Sequence, residues 1–327
     1  MAAAGGRLDR GPLVGVLAVL VTSVLWGTTG TAATFAPDVG PLAIGAAALG
    51  IGGILQALIA LPSLRRERTA LASHRGTVVA GALGVLIYPP AFYSSMHLAG
   101  VAVGTVVSLG SAPLASGLLE RILEGRRLGA WWMLAAGLGI AGSAVLCAAT
   151  MHDAAADTAG TTAGVGLGLV AGATYALYSR SAHRLMGRGV GRAAAMGSVF
   201  GLGGLALLPV LALTGAPLLA SPQAFAVGAY MALVPMFLGY VLFGLGLTRI
   251  SASTATTLTL AEPAVAAVLA VLVVGERLTL LGWLGIAGIG LSLLILALGT
   301  GGRAPGGARC RGRHVTPGAS GPGGGRT

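Results

Sequence analysis

The stretch Leu258-Thr259-Leu260-Ala261-Glu262-Pro263-Ala264-Val265-Ala266-Ala267, running on to Gly275-Glu276-Arg277-Leu278, decides how the rest of the chain is read. It lies in an apolar run from about Ser251 to Val274, long enough to cross a bilayer as one helix. Glu262 falls near the middle of that run. A carboxylate at membrane depth costs roughly 2–3.5 kcal/mol on insertion scales, so it faces a cavity or a partner. Pro263 follows it and has no N–H, so the helical donor for the Thr259 carbonyl is missing. An acid beside a loosened backbone at that depth marks the place to look for function.

The composition around this stretch is that of an integral membrane protein. The chain is 327 residues, 55% hydrophobic and only 9% charged, far below the charge of a soluble domain. Its 56 glycines suit close helix–helix approach in lipid. The net charge of +11 does not point to nucleic acid, because all twenty basic residues are arginines scattered over short loops and tails. Cys147 lies in an apolar run and Cys310 in a polar tail, so no disulfide framework is expected.

Ten apolar spans are expected, near 12–35, 40–63, 76–96, 100–120, 129–150, 163–183, 193–214, 223–246, 251–274 and 280–300. The first span is too long for a signal peptide and lacks a cleavage site, so it is read as retained. Residues 1–11 form a short polar tail, 151–162 a polar external linker, and 301–327 a disordered tail of Gly, Arg and Pro. With the N-terminus inside, nineteen of the twenty arginines fall on the inner side and only Arg277 outside. Both termini are therefore expected in the cytoplasm of a multi-pass cell-membrane protein.

Shifted by 150 residues, the chain partly matches itself. Pro113 falls on Pro263, and Gly125, Arg127 and Leu128 fall on Gly275, Arg277 and Leu278. Trp26-Gly27 sits against Tyr175-Ala176 at a shift of 149. Each unit, 12–150 and 163–300, thus holds five spans. Five is odd, so the second unit inserts upside down. The fold expected is an all-α membrane protein of ten transmembrane helices in two inverted five-helix repeats, a recurring plan in secondary transporters.

The Ala261-Glu262-Pro263 and Gly275-Glu276-Arg277-Leu278 pair, with the Gly-rich tenth span, resembles the second repeat of the EamA family of the drug/metabolite transporter superfamily. Trp26-Gly27 and Pro113 resemble the first-repeat positions, and the resemblance covers about 12–300. It implies a central cavity lined by spans 1–4 and 6–9, peripheral spans 5 and 10, and transport of small organic solutes, often export. Two positions depart from repeat symmetry. Arg126 stands where the second repeat has Glu276, and Ala112 where it has Glu262.

The residues expected to meet solute or proton are Glu262, Thr259, Trp26, Tyr175, Ser108, Tyr93 and Tyr240. Glu262 is a proton or cation site, or else a structural acid. Ser108 belongs to a hydroxyl stripe with Thr105 and Ser116 on one face of span 4, which lines a pathway or bonds its own backbone. Thr259 lies one turn from Glu262. The four aromatic residues suit a cavity wall for an apolar or cationic group. Pro113 and Pro263 are expected to break their helices, and Pro89-Pro90 to bend span 3. No enzyme signature, metal motif or ATP-binding motif occurs, so no cofactor is expected. The reading is a secondary transporter, plausibly proton-coupled, exporting a small metabolite or drug. An uncoupled facilitator or exchanger, or a non-transporting scaffold of the same fold, is the alternative. The partners are a small solute, the lipid bilayer and protons; a homodimer is compatible with them.

The arginine pattern carries a direct test. An impermeant thiol reagent applied to intact cells should leave Cys310 unlabelled and label it only after permeabilisation; labelling in intact cells reverses the orientation.

Overall fold

A computed structural model describes residues 10–125, 128–150, 158–274 and 278–301. The Gly275-Glu276-Arg277 motif, Arg126-Arg127, Cys310 and most of the tails and linker lie outside these residues. Within them, ten helices are long and apolar enough to span a membrane: span 1 Gly11–Ala33, span 2 Pro41–Arg66, span 3 Arg75–Ala99, span 4 Val103–Glu124, span 5 Ala130–Ala149, span 6 Ala159–Gly187, span 7 Arg192–Thr214, span 8 Pro222–Leu247, span 9 Ala252–Val273 and span 10 Leu280–Leu298. No strand occurs among the described residues. The expected ten-helix architecture holds, with edges moved by a few residues. Span 6 moves furthest, because its helix starts at Thr158, inside the stretch read as linker.

Local chemistry sets several helix ends. Pro41 and Pro222 each start a helix in the first turn, where the missing N–H is not needed. Ser221 Oγ accepts from Ala224 N at 3.1 Å, and Ser251 Oγ from Thr254 N at 3.2 Å, capping spans 8 and 9. Gly125 ends span 4 at φ 66, a left-handed conformation that suits glycine.

The packing is pseudo-symmetric. Spans 2 and 7, 4 and 9, and 5 and 10 pack as counterparts, while span 3 packs on 6 as span 8 does on 1. Span 4 also meets 6 as span 9 meets 1, and span 3 meets 7 as span 8 meets 2. Exchanging each span with the one five places on leaves this pattern unchanged, as inverted repeats require. Spans 5 and 10 form a separate peripheral pair. There Ser292 Oγ donates to Ala135 O, and Gly142 lets the backbone of 285–289 approach.

Proline behaves differently in the two repeats. Pro263 lies at a true interruption: span 9 is built from Ala252–Leu258 and Ala261–Leu269, ending in a π-helical turn Ala270–Val274. Pro113 corrects the expectation of a break, since it sits inside an unbroken helix Val101–Glu124. Pro89 and Pro90 likewise lie inside a continuous helix, Arg75–Ala99. Span 8 contains a second π-helical stretch, Ala232–Leu238, around Pro235.

The 2–7 interface depends on missing side chains. A Cβ on Gly204 would lie 2.7 Å from Gly50 O and 3.1 Å from Gly53 Cα, where only backbone could give way. Gly204→Leu should therefore lose folded, monodisperse protein and lower the thermal midpoint, by an overpacking cost of about 1–3 kcal/mol or more. Gly137→Leu, at a position with nothing within 4 Å, should behave nearly as the parent in the same size-exclusion and thermal-shift measurements.

Candidate functional site

The break in span 9 and the π turn in span 8 meet in the middle of the bundle. A π turn shifts carbonyls out of the regular ladder, and in lipid each needs a new donor. Span 8 finds two, both from the first repeat: Trp26 Nε1 donates to Pro235 O at 2.9 Å and Gln56 Nε2 to Phe237 O at 2.7 Å. The single Thr22 hydroxyl proton is shared between Ala18 O at 2.9 Å and Gly239 O, just past the turn, at 3.1 Å. In span 9, Glu262 N donates to Thr259 O at 3.0 Å. This corrects the expectation that the Thr259 carbonyl is left free: a tighter three-residue turn takes up the acceptor that Pro263 abandons. Thr259 Oγ1 donates back to Thr256 O at 2.9 Å, so Tyr175 O–H, 2.9 Å away, is the donor in its bond to Thr259 Oγ1.

A cavity of about 30 Å³ lies at this junction, room for about one water. It is lined by Trp26 and Thr29 of span 1; Gly45, Ala48 and Leu49 of span 2; Tyr88, Pro89, Phe92 and Tyr93 of span 3; Met236 and Tyr240 of span 8; and Glu262 of span 9. Five aromatic rings and one carboxyl face it, with no basic side chain in the lining. Gly45 makes room for Tyr93, whose Cδ2 would lie 2.6 Å from a Cβ there. The Glu262 side chain is partly buried, and no described residue forms a hydrogen bond or ion pair with its carboxyl.

Of the residues singled out from the sequence, Glu262, Trp26, Tyr93 and Tyr240 come together at this cavity. Tyr175, Thr259 and Ser108 do not line it. Tyr175 is buried behind Trp26, ring centroids 6.0 Å apart in an edge-on arrangement. Tyr178 O–H and Tyr240 O–H pair at 2.8 Å. Ser108 is fully buried and its hydroxyl has no partner among the described residues. The lining comes from spans 1, 2, 3, 8 and 9, a smaller set than spans 1–4 and 6–9. Tyr88 and Phe92 escaped the sequence reading. Their four-residue spacing around Pro89-Pro90, which puts both rings on one helix face, was the available signal.

A second polar cluster sits where the described chain begins and ends, hereafter the termini end. Arg180 and Arg184, read from the sequence as loop arginines, lie inside the span 6 helix Thr158–Gly187. Arg180 is buried, its Nη2 3.2 Å from Glu124 Oε1. Glu120, 4% exposed, accepts from Ser253 N and from Ser253 Oγ, both at 2.9 Å. Glu67 Oε2 accepts from Gly191 N at 2.6 Å. Each of these contacts joins the first repeat to the second.

Comparison with known proteins agrees with this architecture. The sequence model of the EamA-like transporter family matches residues 13–148 and 162–298, once per repeat. A relative from Bacillus subtilis (strain 168), named "Uncharacterized transporter YwfM", is 35% identical over 283 residues, 86% of this chain and 93% of that protein. A solved structure described as "Crystal structure of protein" superposes with a TM-score of 0.71 at 20% identity, covering 89% of this chain and 97% of that one. At that identity the likeness speaks to the fold alone.

The Trp26 indole N–H has one assignable task, the Pro235 carbonyl. Trp26→Phe keeps a ring in the wall and leaves that buried acceptor unsatisfied, at a cost of about 1–3 kcal/mol. Its thermal midpoint in detergent should fall measurably below that of Leu13→Phe, a control at an exposed apolar position of the same span.

Proposed function

Because the chain belongs to the EamA-like transporter family and is a multi-pass membrane transporter, we propose that it exchanges a small organic cation for protons by alternating access, through Glu262. The observation that carries this reading is the lining of the central cavity, one carboxyl among five aromatic rings without a basic side chain. A carboxylate in so apolar a site requires a compensating cation or a proton. Aromatic faces attract the same positive charge, most strongly when water is excluded. A protonated amine or quaternary ammonium satisfies both groups at once, whereas an anionic solute finds no positive partner in the lining.

Exchange follows from single occupancy. Glu262 holds a proton or the organic cation, one at a time, so each must leave before the other enters. Opened alternately to the two sides, such a site converts an inward proton gradient into outward solute movement. The arginine distribution supports cytoplasmic termini in the cell membrane, and on that orientation the direction is export. A substrate of ordinary size needs several hundred Å³, so the Tyr93 and Phe92 rings on span 3 must swing away from span 2 as it enters. Thr29 offers a hydroxyl to orient the bound amine. Tyr175 and Thr259 act one layer behind, fixing the broken backbone that presents Glu262. Ser108 has no part in this reading. Pro263 shapes the turn and contacts no solute.

The test is flux in proteoliposomes with and without an imposed pH gradient, using a panel of organic amines, amino acids and anionic metabolites. The parent should move amines, with rates that follow the gradient. Glu262→Gln is nearly isosteric and holds no exchangeable charge; it should lose gradient-driven flux by at least about tenfold while folding as the parent does. Glu262→Asp should retain part of the activity with an altered pH profile. Native flux and native pH response in Glu262→Gln make the acid structural and the protein a facilitator. No flux of any solute in the folded parent favours a scaffold.

A further inference from the structure

We infer that the Glu120–Ser253 and Glu124–Arg180 contacts form a one-sided latch that holds the two repeats together at the termini end, so that the transporter rests closed on that side. This rests on the alternating-access reading above but concerns different residues.

Glu120 is on span 4, in the first repeat, and both its oxygens are engaged by one residue of the second: Oε1 by Ser253 N and Oε2 by Ser253 Oγ. The carboxylate thereby joins span 4 to the first turn of span 9, whose second half carries Glu262. A few residues on, Glu124 of span 4 lies at ion-pair distance, 3.2 Å, from Arg180 Nη2 of span 6, a charge contact without hydrogen-bond alignment, so the hydrogen-bonded part of the latch is Glu120. Spans 6 and 9 belong to one repeat and span 4 to the other, so both charged contacts must part if the repeats separate here. Glu120 and Arg180 are almost wholly buried, which keeps water from substituting for the partners. Charge-assisted hydrogen bonds are stronger than neutral ones, and a buried ion stripped of its partner is costly. Separation is therefore unfavourable until something else supplies the energy, and solute or proton binding at Glu262, in the other half of the broken span that carries Ser253, can do so.

Among the described residues the latch has no charged counterpart at the other end. Under the 150-residue repeat, Glu120, Glu124 and Ser253 correspond to Ala270, Val274 and Val103. Arg180 corresponds to Thr31 at the shift of 149 that pairs Trp26 with Tyr175. None of these can form an ion pair. The inter-repeat hydrogen bonds at the far end are neutral among the described residues: Ser95 Oγ donates to Gly164 O at 2.7 Å and Gln223 Nε2 to Phe35 O at 2.9 Å. Packing runs the same way: span 4 packs along the Ala252–Leu258 half of span 9 and makes no comparable contact with the Ala261–Leu269 half. An inverted repeat with identical halves would favour neither side. Here the charged side chains of one end break the tie.

Distances between spin labels test the latch without reference to flux. In a Cys147→Ser, Cys310→Ser background in lipid nanodiscs, one pair, Arg121→Cys with Thr248→Cys, reports on the termini end; both positions are exposed. A second pair, Thr34→Cys with Ala220→Cys, reports on the far end, also at exposed positions. The background should show one dominant short distance at the termini end. Adding Glu120→Ala should raise the longer-distance population roughly tenfold, equivalent to about 1.4 kcal/mol. Ser253→Ala should shift it the same way but less, because the Ser253 N–H remains. If Glu120→Ala does not fold, Glu120→Gln, which keeps one carbonyl acceptor, is read in its place and should lengthen the distance less. Unchanged termini-end distances in folded Glu120 variants overturn the latch, whatever the flux assays give. Lengthening at the termini end with a fixed far-end distance supports the latch and overturns alternating access instead.

Discussion

The constraint on which this structure depends is that lipid offers no hydrogen bonds, so a helix that breaks inside it must be repaired by protein. Spans 8 and 9 both depart from regular helix near the bundle centre, and the repairs come mainly from elsewhere in the fold. Trp26 and Gln56 cross from the first repeat to the carbonyls at 235 and 237. Within the second repeat, Tyr175 of span 6 donates to the Thr259 hydroxyl, and the break in span 9 is partly self-repaired by the Glu262 N–H. The Trp26 and Gln56 donors stitch the two halves, and the cavity lies beside them because irregular backbone is tolerated only where protein or water meets it. Trp26 thus has two jobs: it fills the cavity wall, and its N–H holds the π turn that positions Tyr240.

Glycine makes the stitching possible. The close approach of spans 2 and 7 at Gly53 and Gly204 leaves no room for side chains. Spans 3 and 6 meet in a similar way at Gly84, whose Cβ would lie 2.9 Å from Thr174 O. In lipid, where apolar side chains gain little by leaving one apolar medium for another, backbone proximity and its dispersion contacts are the main source of association. The abundance of glycine that reads as near-repetitive in the sequence is, in three dimensions, the set of surfaces on which helices can pass closely.

What the sequence made legible follows from the range of each signal. Span count and the repeat are carried by long apolar runs and by the 150-residue shift, and both survive into the structure because the bilayer enforces them. Glu262 was conspicuous because it is an acid inside such a run, and Trp26, Tyr93 and Tyr240 because aromatic residues are sparse. Tyr88 and Phe92 were not, since nothing along one helix says which face meets a cavity made by four others. Ser108 was chosen for its hydroxyl and Tyr175 for its ring and its repeat pairing with Trp26, yet depth behind the lining is a tertiary property that no local pattern encodes. Pro113 misled because repeat symmetry suggested a break that its own helix accommodates. Arg180 and Glu120 were hidden by the same rule that revealed the topology. Near a span end, an arginine counted as a charge for orientation looks no different from one buried against Glu124.

That last ambiguity has a physical resolution. Charges near the ends of spans serve orientation during insertion, when the helix is alone, and packing afterwards, when neighbours arrive. A residue used only for orientation has no reason to be buried, since exposure to interfacial water is the cheaper state. Arg180 is buried, and so is Glu120, while Arg121 beside it is exposed. Desolvating two charges of opposite sign across a repeat boundary is rarely a route to greater stability by itself, because well-packed apolar residues do as well. It does give the boundary a contact that is strong when closed and has no graded intermediate, because a hydrogen-bonded carboxylate either reaches Ser253 or does not. An apolar seam slides; a bidentate one opens all at once. Two inverted halves joined by a charged catch at one end and by neutral contacts at the other therefore have one preferred resting arrangement, and the acid of the central cavity sits in the same broken span as the serine that holds that catch.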